Sequence, residues 1–535
     1  MPSSVYLGID VGTSSVKVVA TMRSGGTLSA EVSYALSVLS DGGVEEFPER
    51  WWQATRVALG HLWHQGADPR QLAGIAVSGH GCTLVPLGAN GELLGPAIGC
   101  LDRRCRTERH QIAERAETRI ADVHGNDVTA FPIEPKLLWL KAHRPEWYEL
   151  MRVFLTPTSY LNFQLTGRAV MNVSDAGLGL AYDRMQGMQW NHEIIAAMGL
   201  DAEKFPAIAL CHQVIGGVHA KAARTLGIPA NTPVLAGGED TSAVAVALGI
   251  SHAGNPFLST GTQGIVGVAV EGLGRPDRLL AFPHMYDQLS LVTGSIGSFG
   301  GAVQWFLRQC APDWMQAPDP LTVFFTHAKQ SPPGSRGVVF LPYLAGELHP
   351  LLNEDAAAVF FGLQLQHSRS DMARAILEAT GYAVRHNLES LAEILPPNSE
   401  LQAAGKPTRN ALWCQILADI TQCPLTIREV RASSERTSVE VGAPLGMSLW
   451  AQAYVGSVSI EKLVDAWTTE KASYEPNAEL APLYTDRYGL YRELYRRLAD
   501  LFLTTRRGRG ETLASHSTVA ESKHDGHPFR AVTRS

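Results

Sequence analysis

Apolar positions alternate through Val5, Leu7 and Ile9, stop at Asp10, and resume from Val16 to Ala20 beyond the turn Gly12-Thr13-Ser14-Ser15. Period-two alternation on both sides of a short turn rich in glycine and hydroxyls predicts a β-hairpin. Trp51 to Trp63 has helical spacing, and Gly74 to Ser78 is a short buried strand that ends in glycines. Strands alternating with longer helical stretches predict an α/β chain. The pattern returns after residue 230. Pro233 to Ala236 reads as a strand leading into Gly237-Gly238-Glu239-Asp240, and Ser242 to Leu248 as a helix of small residues. Pro256 to Thr260, the turn Gly261-Thr262, and Ile265 to Val270 then repeat the opening hairpin. One such hairpin near the start of each half predicts an internal duplication with a boundary near residue 250. Ser370 to Ala392 and Asn410 to Thr421 add helices to the second half. From Arg506 the chain is polar and without periodicity, so a disordered tail is expected over residues 506–535.

A chain of 535 residues suggests more than one domain. Hydrophobic residues at 45% and charged residues at 18% exclude disorder across the whole length. The net charge of -7, from 45 basic and 52 acidic residues, argues against a dedicated nucleic-acid binder. The cysteines number seven, with no CxxC spacing, which speaks against a disulfide framework or a zinc cluster and for a reducing compartment. No basic segment followed by an apolar core opens the chain, and no apolar run approaches the roughly 20 residues of a membrane helix. A cytoplasmic protein is expected.

The hairpin turns carry candidate chemistry. In Asp10-Val11-Gly12-Thr13-Ser14, glycine lets the backbone approach an anion, and amides with hydroxyls can donate to phosphate oxygens. An acidic residue beside them can hold magnesium through water. An ordinary turn uses the same residues, so this motif alone leaves both readings open. Gly261-Thr262 offers a second set of donors. Asp240 is either a metal carboxylate or general base, or simply the N-cap of the helix that follows it. Counted together, two phosphate hairpins and a separate carboxylate are the parts of a two-lobed phosphotransferase. The other common phosphate loop is missing: Gly405-Lys406 is followed by Pro407, where a P-loop has serine or threonine. Nor is there a protein-kinase Asp-Phe-Gly triplet.

LGIDVGTSSVKVV resembles the first phosphate motif of the FGGY carbohydrate kinase family, in its xylulokinase-type branch, and FLSTGTQGIVGV resembles the second. GGEDTSAVAVALG resembles the family segment that carries the catalytic aspartate. PKLLWLK, YLNFQLTG and SDAGLGL fall in the expected order between them, and LPYLAGELHP follows. AVFFGLQLQHSRSDMARAILE fits the C-terminal signature throughout. The resemblance runs over about residues 5 to 500.

The resemblance implies two actin-like (ribonuclease H-like) α/β domains closing on ATP and a sugar across a cleft. The first would span residues 1–250 with the sugar loops and catalytic aspartate, the second 251–505 with the nucleotide pocket. Asp240 matches the catalytic base, and Asp10 the acidic residue near Mg2+. Thr13, Ser14, Gly261 and Thr262 match phosphate contacts, while Gln304, Gly405 and Asn410 match nucleotide-pocket segments. Lys17 sits where relatives often carry a basic residue near phosphate; a solvated strand position is the alternative. Lys406 and Pro407 depart from the glycine-rich GGGARS of relatives, which removes one amide donor and adds bulk and charge.

The sugar loops depart further. Where xylulokinases usually read SGQMHG, this chain reads Ser78-Gly79-His80-Gly81-Cys82-Thr83. Without a gap, His80 takes the glutamine position and Cys82 the histidine position. His80 is expected to contact the sugar through its ring nitrogens, while Cys82 is a sugar contact or a packing residue. Asp102 matches the aspartate after the second sugar strand, with a structural ion pair to Arg104 as the alternative. The expected reaction is ATP-dependent phosphorylation of the terminal primary hydroxyl of a small ketose, D-xylulose foremost. The alternatives are L-xylulose, ribulose, erythritol or a signalling sugar, or a nucleotide-switched binding protein of the same fold without turnover. Sugar and ATP are the expected partners, with no nucleic acid or membrane. The sequence leaves the oligomeric state, a homodimer included, open.

Overall fold

In the computed structural model, which describes residues 4–274, 278–431 and 439–507, the opening hairpin forms as the alternation predicts. Val5–Val11 pairs antiparallel with Ser15–Met22, placing Val11 opposite Val16, and Gly26–Ser33 extends the sheet antiparallel on the far side. On its other edge Val5–Val11 pairs in parallel with Leu72–Gly79, which in turn pairs in parallel with Pro233–Leu235. Val214–Gly217 closes that edge antiparallel. The central strands are buried along almost their whole length, which is why they read as continuous apolar runs.

The second sheet repeats this spatial plan, except that its antiparallel edge strand follows its neighbour in the chain where that of the first sheet precedes it. Pro256–Thr260 and Gly264–Glu271 form the hairpin, and Leu289–Ile296 adds antiparallel beyond it. Leu401–Ala404 lies parallel to Pro256–Thr260, Leu425–Val430 parallel to that, and Thr468–Tyr474 closes the edge antiparallel. Leu280–Pro283 adds one strand at the opposite edge. The shared order and shared strand directions bear out two lobes of one α/β plan. Arg369–Ser390, opened by a Ser368–Asp371 capping box, and Ala411–Thr421, capped by Asn410, are the expected helices of the second lobe.

The boundary near residue 250 separates the two sheets, but it does not divide the chain into two continuous halves. Ala443–Gly456 is buried from Ala443 to Ala453 and lies against Val5–Val11, Ser15–Met22, Leu72–Gly79 and the helix Asp240–Leu248. Its Ser448 hydroxyl donates to Tyr6 O at 2.9 Å and stands 2.8 Å from Thr21 Oγ1. The approach is close enough that a Cβ on Gly8 would stand 1.9 Å from Pro444 O. Ile460–Trp467 joins the same core before the chain returns to the second sheet at Thr468. A helix that is apolar all round declares that it is buried, but not which sheet it covers. The final helix, Ala481–Arg507, runs past Arg506; the rest of the expected tail lies outside the described residues. Among the described residues no helix is long and apolar enough to cross a membrane.

The lobes meet across a cleft bridged on both rims. Arg106 pairs with Glu354 at 3.4 Å and Asp355 at 3.5 Å, and Arg103 donates to Ala345 O. On the other rim Lys406 stands 3.8 Å from Glu31.

Candidate active site

Three parallel strands stop at one level on the first sheet. Gly79 is in register with Val11 on one side and with Glu239 of the short strand Gly238–Glu239 on the other. The residues released next are therefore Gly12, His80 and Asp240. Carboxyl ends of parallel strands are where open α/β sheets bind ligands, because the chain there turns into loops and helix starts. The structure thus brings the first phosphate hairpin, a sugar loop and the candidate base to one edge.

Asp240 opens the helix Asp240–Leu248 without capping it. The cap is Glu239, whose Oε2 accepts from Ser242 N at 2.9 Å, so the N-cap reading of Asp240 is replaced. Glu239 is itself fixed by its amide, which donates to Ser174 Oγ at 2.9 Å in the SDAGLGL segment. Burial, then the charge of Glu239, pushes the Asp240 pKa well above the usual carboxylate range, and His80 pulls it back. A carboxylate raised in this way and not used as the helix cap is suited to accept a proton.

Asp10 accepts from Ser78 Oγ at 2.9 Å. Burial and the charge of Asp240 raise its pKa to about 6, with Lys17, opposite it in the hairpin, working the other way. A buried carboxylate raised by the charge of a second one nearby favours a cation at the site. The described residues hold no cluster of three or more His, Cys, Asp or Glu side chains able to cage a metal. A single carboxylate beside phosphate and water is instead the way Mg2+ is usually held, and Asp10 fits that role.

Thr13 and Ser14 sit at the tip of the first hairpin, where Gly12 N donates to Ser15 O at 3.0 Å and Tyr34 donates to Gly12 O through its hydroxyl. Gly261 and Thr262 are exposed at the tip of the second. Their carbonyls are tied back by Gly300, Gly301 and Phe299 amides at 2.9–3.0 Å, at the start of the helix Gly300–Gln309 that carries Gln304. Gly405 has φ of +115°, and a Cβ there would meet Thr260 O at 1.8 Å, so only glycine seats this turn against the hairpin. Asn410 uses its Oδ1 to cap the next helix, at 3.1 Å from Trp413 N. The two hairpins are linked across the cleft, since Glu31 accepts from Ser15 Oγ at 2.8 Å and faces Lys406.

Near the second hairpin, Gly297 N donates to Glu347 Oε1 at 3.0 Å, and Oε2 of this buried carboxyl has no partner. Burial raises its pKa to about 8. An unfolded chain releases this proton near 4.5 while the folded one keeps it, so the group subtracts stability progressively from about pH 4.5 to 8. Glu347→Gln is expected to remove a slope of up to about 1.4 kcal/mol per pH unit. Urea midpoints at pH 5, 6, 7 and 8 check it; parallel profiles for variant and wild type refute it.

At the sugar loops each candidate side chain is already engaged within the protein. Both ring nitrogens of His80 are already engaged, Nδ1 with Val11 O at 2.8 Å and Nε2 with Glu46 Oε1 at 3.1 Å. Burial, the largest influence, disfavours its charge, but the Glu46 carboxylate and the Val11 carbonyl outweigh it and the pKa stands at about 9. Both ring nitrogens of His80 are thus taken up within the protein, and the Glu46 carboxylate favours the charged ring. Cys82, 1% exposed, is packed in the core, which is the packing alternative. Asp102 takes the ion-pair alternative: its carboxylate holds Arg104 Nη2 at 2.7 Å and Val44 N at 2.8 Å. Glu46, Tyr34 and Ser174 carry the local geometry and were not singled out from the sequence.

Comparison with known proteins identifies the family. The FGGY family of carbohydrate kinases matches through its N-terminal domain over residues 5–247 and through its C-terminal domain over residues 257–434. The chain is 32% identical over 505 residues to the xylulose kinase of Escherichia coli (strain K12), covering 93% of this chain and 100% of that protein. The solved xylulose kinase from Rhodospirillum rubrum superposes with a TM-score of 0.79 at 28% identity, over 93% of this chain and 99% of that one. A gluconate kinase from Lactobacillus acidophilus reaches 0.83 at 23% identity, over 94% of this chain and 100% of that one, a likeness of fold. With family matches spanning both lobes and a relative 32% identical over nearly the whole chain, this chain belongs to the FGGY family of carbohydrate kinases.

Proposed function

We propose that the protein transfers the γ-phosphoryl group of ATP to the terminal primary hydroxyl of a small neutral ketose, D-xylulose foremost. The observation that carries this reading is Asp240, a carboxylate released from capping by Glu239 on the same sheet edge as the first phosphate hairpin. Asp240 takes the hydroxyl proton as the sugar oxygen attacks γ-phosphorus and the bond to the ADP oxygen breaks. Thr13, Ser14, Gly261 and Thr262 donate to the phosphates from both lobes, and Gln304, Gly405 and Asn410 border the nucleoside. Lys17 adds positive charge beside Asp10. Asp10 is the residue that would hold Mg2+, which when bound neutralises phosphate charge. Closure of the lobes excludes water and limits ATP hydrolysis. A cytoplasmic location fits a kinase that draws on the ATP pool.

The neutral-sugar reading is favoured over a sugar acid by the state of the cations around the sugar loops. His80 is held by Glu46, Arg104 by Asp102 and Glu45, and Lys136 by the carbonyls of Ala130 and Pro132. A sugar carboxylate beside these loops would meet cations that already have partners. Coupled ADP release on D-xylulose, L-xylulose, ribulose, erythritol and gluconate tests the proposal. The expected result is the highest kcat/KM on D-xylulose. Preference for gluconate, or nucleotide binding without turnover on any sugar, overturns it.

A further inference from the structure

Glu46 ends the short strand Val44–Glu46, which pairs antiparallel with Ala97–Ile98 just before the second sugar loop. It is 3% exposed, and its two oxygens differ in fate. Oε1 is held by His80 Nε2 at 3.1 Å, while Oε2 is buried without a hydrogen-bond partner. The carboxylate stands between the two sugar loops: His80 belongs to the first, and a Cβ on Gly99, in the second, would stand 3.1 Å from Oε1. The charges of Glu46 and Asp240 both act on His80 and on Cys100, beside Gly99, so the two carboxylates lie near the same loop residues. His80 is locked in turn by Val11 O and by the edge of Trp51, with ring centroids 5.8 Å apart. A buried carboxylate oxygen without a donor is costly unless a ligand supplies one.

We propose that Glu46 is a further substrate-binding residue, whose Oε2 accepts a hydroxyl hydrogen of the sugar and so selects a neutral polyhydroxy substrate over an aldonate. The inference rests on the sugar-kinase reading above. His80 acts through Glu46 and is a positioning residue; the sugar meets the carboxylate that the imidazolium holds in place. Glutamine at this position keeps the shape and an acceptor for His80, but it turns an NH2 donor towards the sugar hydroxyl or gives up the His80 contact.

The test is steady-state kinetics of the full chain with D-xylulose and ATP, comparing wild type with Glu46→Gln. The expected result is a sugar KM raised at least about tenfold with the ATP KM unchanged, since a hydrogen bond to a charged group is lost. A folded variant whose sugar KM stays within about twofold of wild type, far below the loss of such a bond, overturns the proposal, even if its kcat or melting temperature falls. Wild-type protein that turns over no neutral sugar sinks the kinase reading itself, and this inference with it. Should Glu46→Gln not fold, the wild type decides by its selectivity between D-xylulose and D-gluconate. A preference for D-xylulose of at least about a hundredfold in kcat/KM supports the proposal, as two such contacts' worth of discrimination; any smaller preference overturns it.

Discussion

Asp240→Asn is expected to lower kcat by about 10²–10⁴-fold, roughly 3–5 kcal/mol of barrier, while leaving the melting temperature no lower than wild type. The two halves of this expectation come from different atoms. The amide cannot take the proton of the attacking hydroxyl, so the chemical step loses its base. The helix start does not suffer, because Glu239 and not Asp240 accepts from Ser242 N. Removing the Asp240 charge also relieves Asp10, whose pKa should fall below its present value of about 6. Active-site strain of this kind is commonly traded against stability. Melting curves and kcat on the same preparation check the expectation. A folded variant within about threefold of wild-type turnover, far short of general-base loss, would falsify the role of Asp240 as base.

Gly8→Ala is expected to cost about 3 kcal/mol or more of folding stability, the upper end of the range for overpacking. Its added methyl would stand 1.9 Å from Pro444 O and 2.4 Å from Ser448 N, both backbone atoms of the buried helix Ala443–Gly456. A side chain could rotate away, but a helix backbone can only move as a body. Such a movement breaks the Ser448 bond to Tyr6 and opens the interface over three strands. Urea unfolding monitored by tryptophan fluorescence reads the loss. A change below about 1 kcal/mol, less than ordinary overpacking, would show that the helix sits less tightly on the sheet.

Much of the fold was legible because its signals are local. Alternation on either side of Gly12 and Gly261 marked both hairpins, and Pro256–Thr260 was read to the residue. The two sheets share the arrangement around their hairpins that the two Gly-Thr turns suggested, though the chain order differs at one edge. Asp240 illustrates where local reading stops: cap and base are equally compatible with an aspartate at a helix start, and the neighbouring Glu239 settles the cap in three dimensions. His80 shows the same limit. A histidine in a sugar loop has two nitrogens to offer until a carboxylate 34 positions earlier and a strand carbonyl claim them. Glu46 itself lies in Val-Glu-Glu-Phe, where nothing in the spacing separates a buried carboxylate from a solvated one. Residues 443–467 were not singled out from the sequence, and their placement on the first sheet depends on contacts hundreds of residues away in sequence.

The return of Ala443–Gly456 to the first sheet has a consequence for the order in which the molecule can be made. A ribosome that has released residues 1–250 has delivered every strand of the first sheet but not the helix that covers Val5–Val11 and Leu72–Gly79. That apolar face stays open until the chain has been translated past Gly456. Nascent chains of this protein therefore carry an unfinished first lobe through synthesis of nearly all of the second, the interval in which exposed apolar surface invites aggregation and chaperone capture. Severing the gene at residue 250 leaves the same face bare, and the first fragment regains a solvent-compatible surface only when the second is supplied in trans.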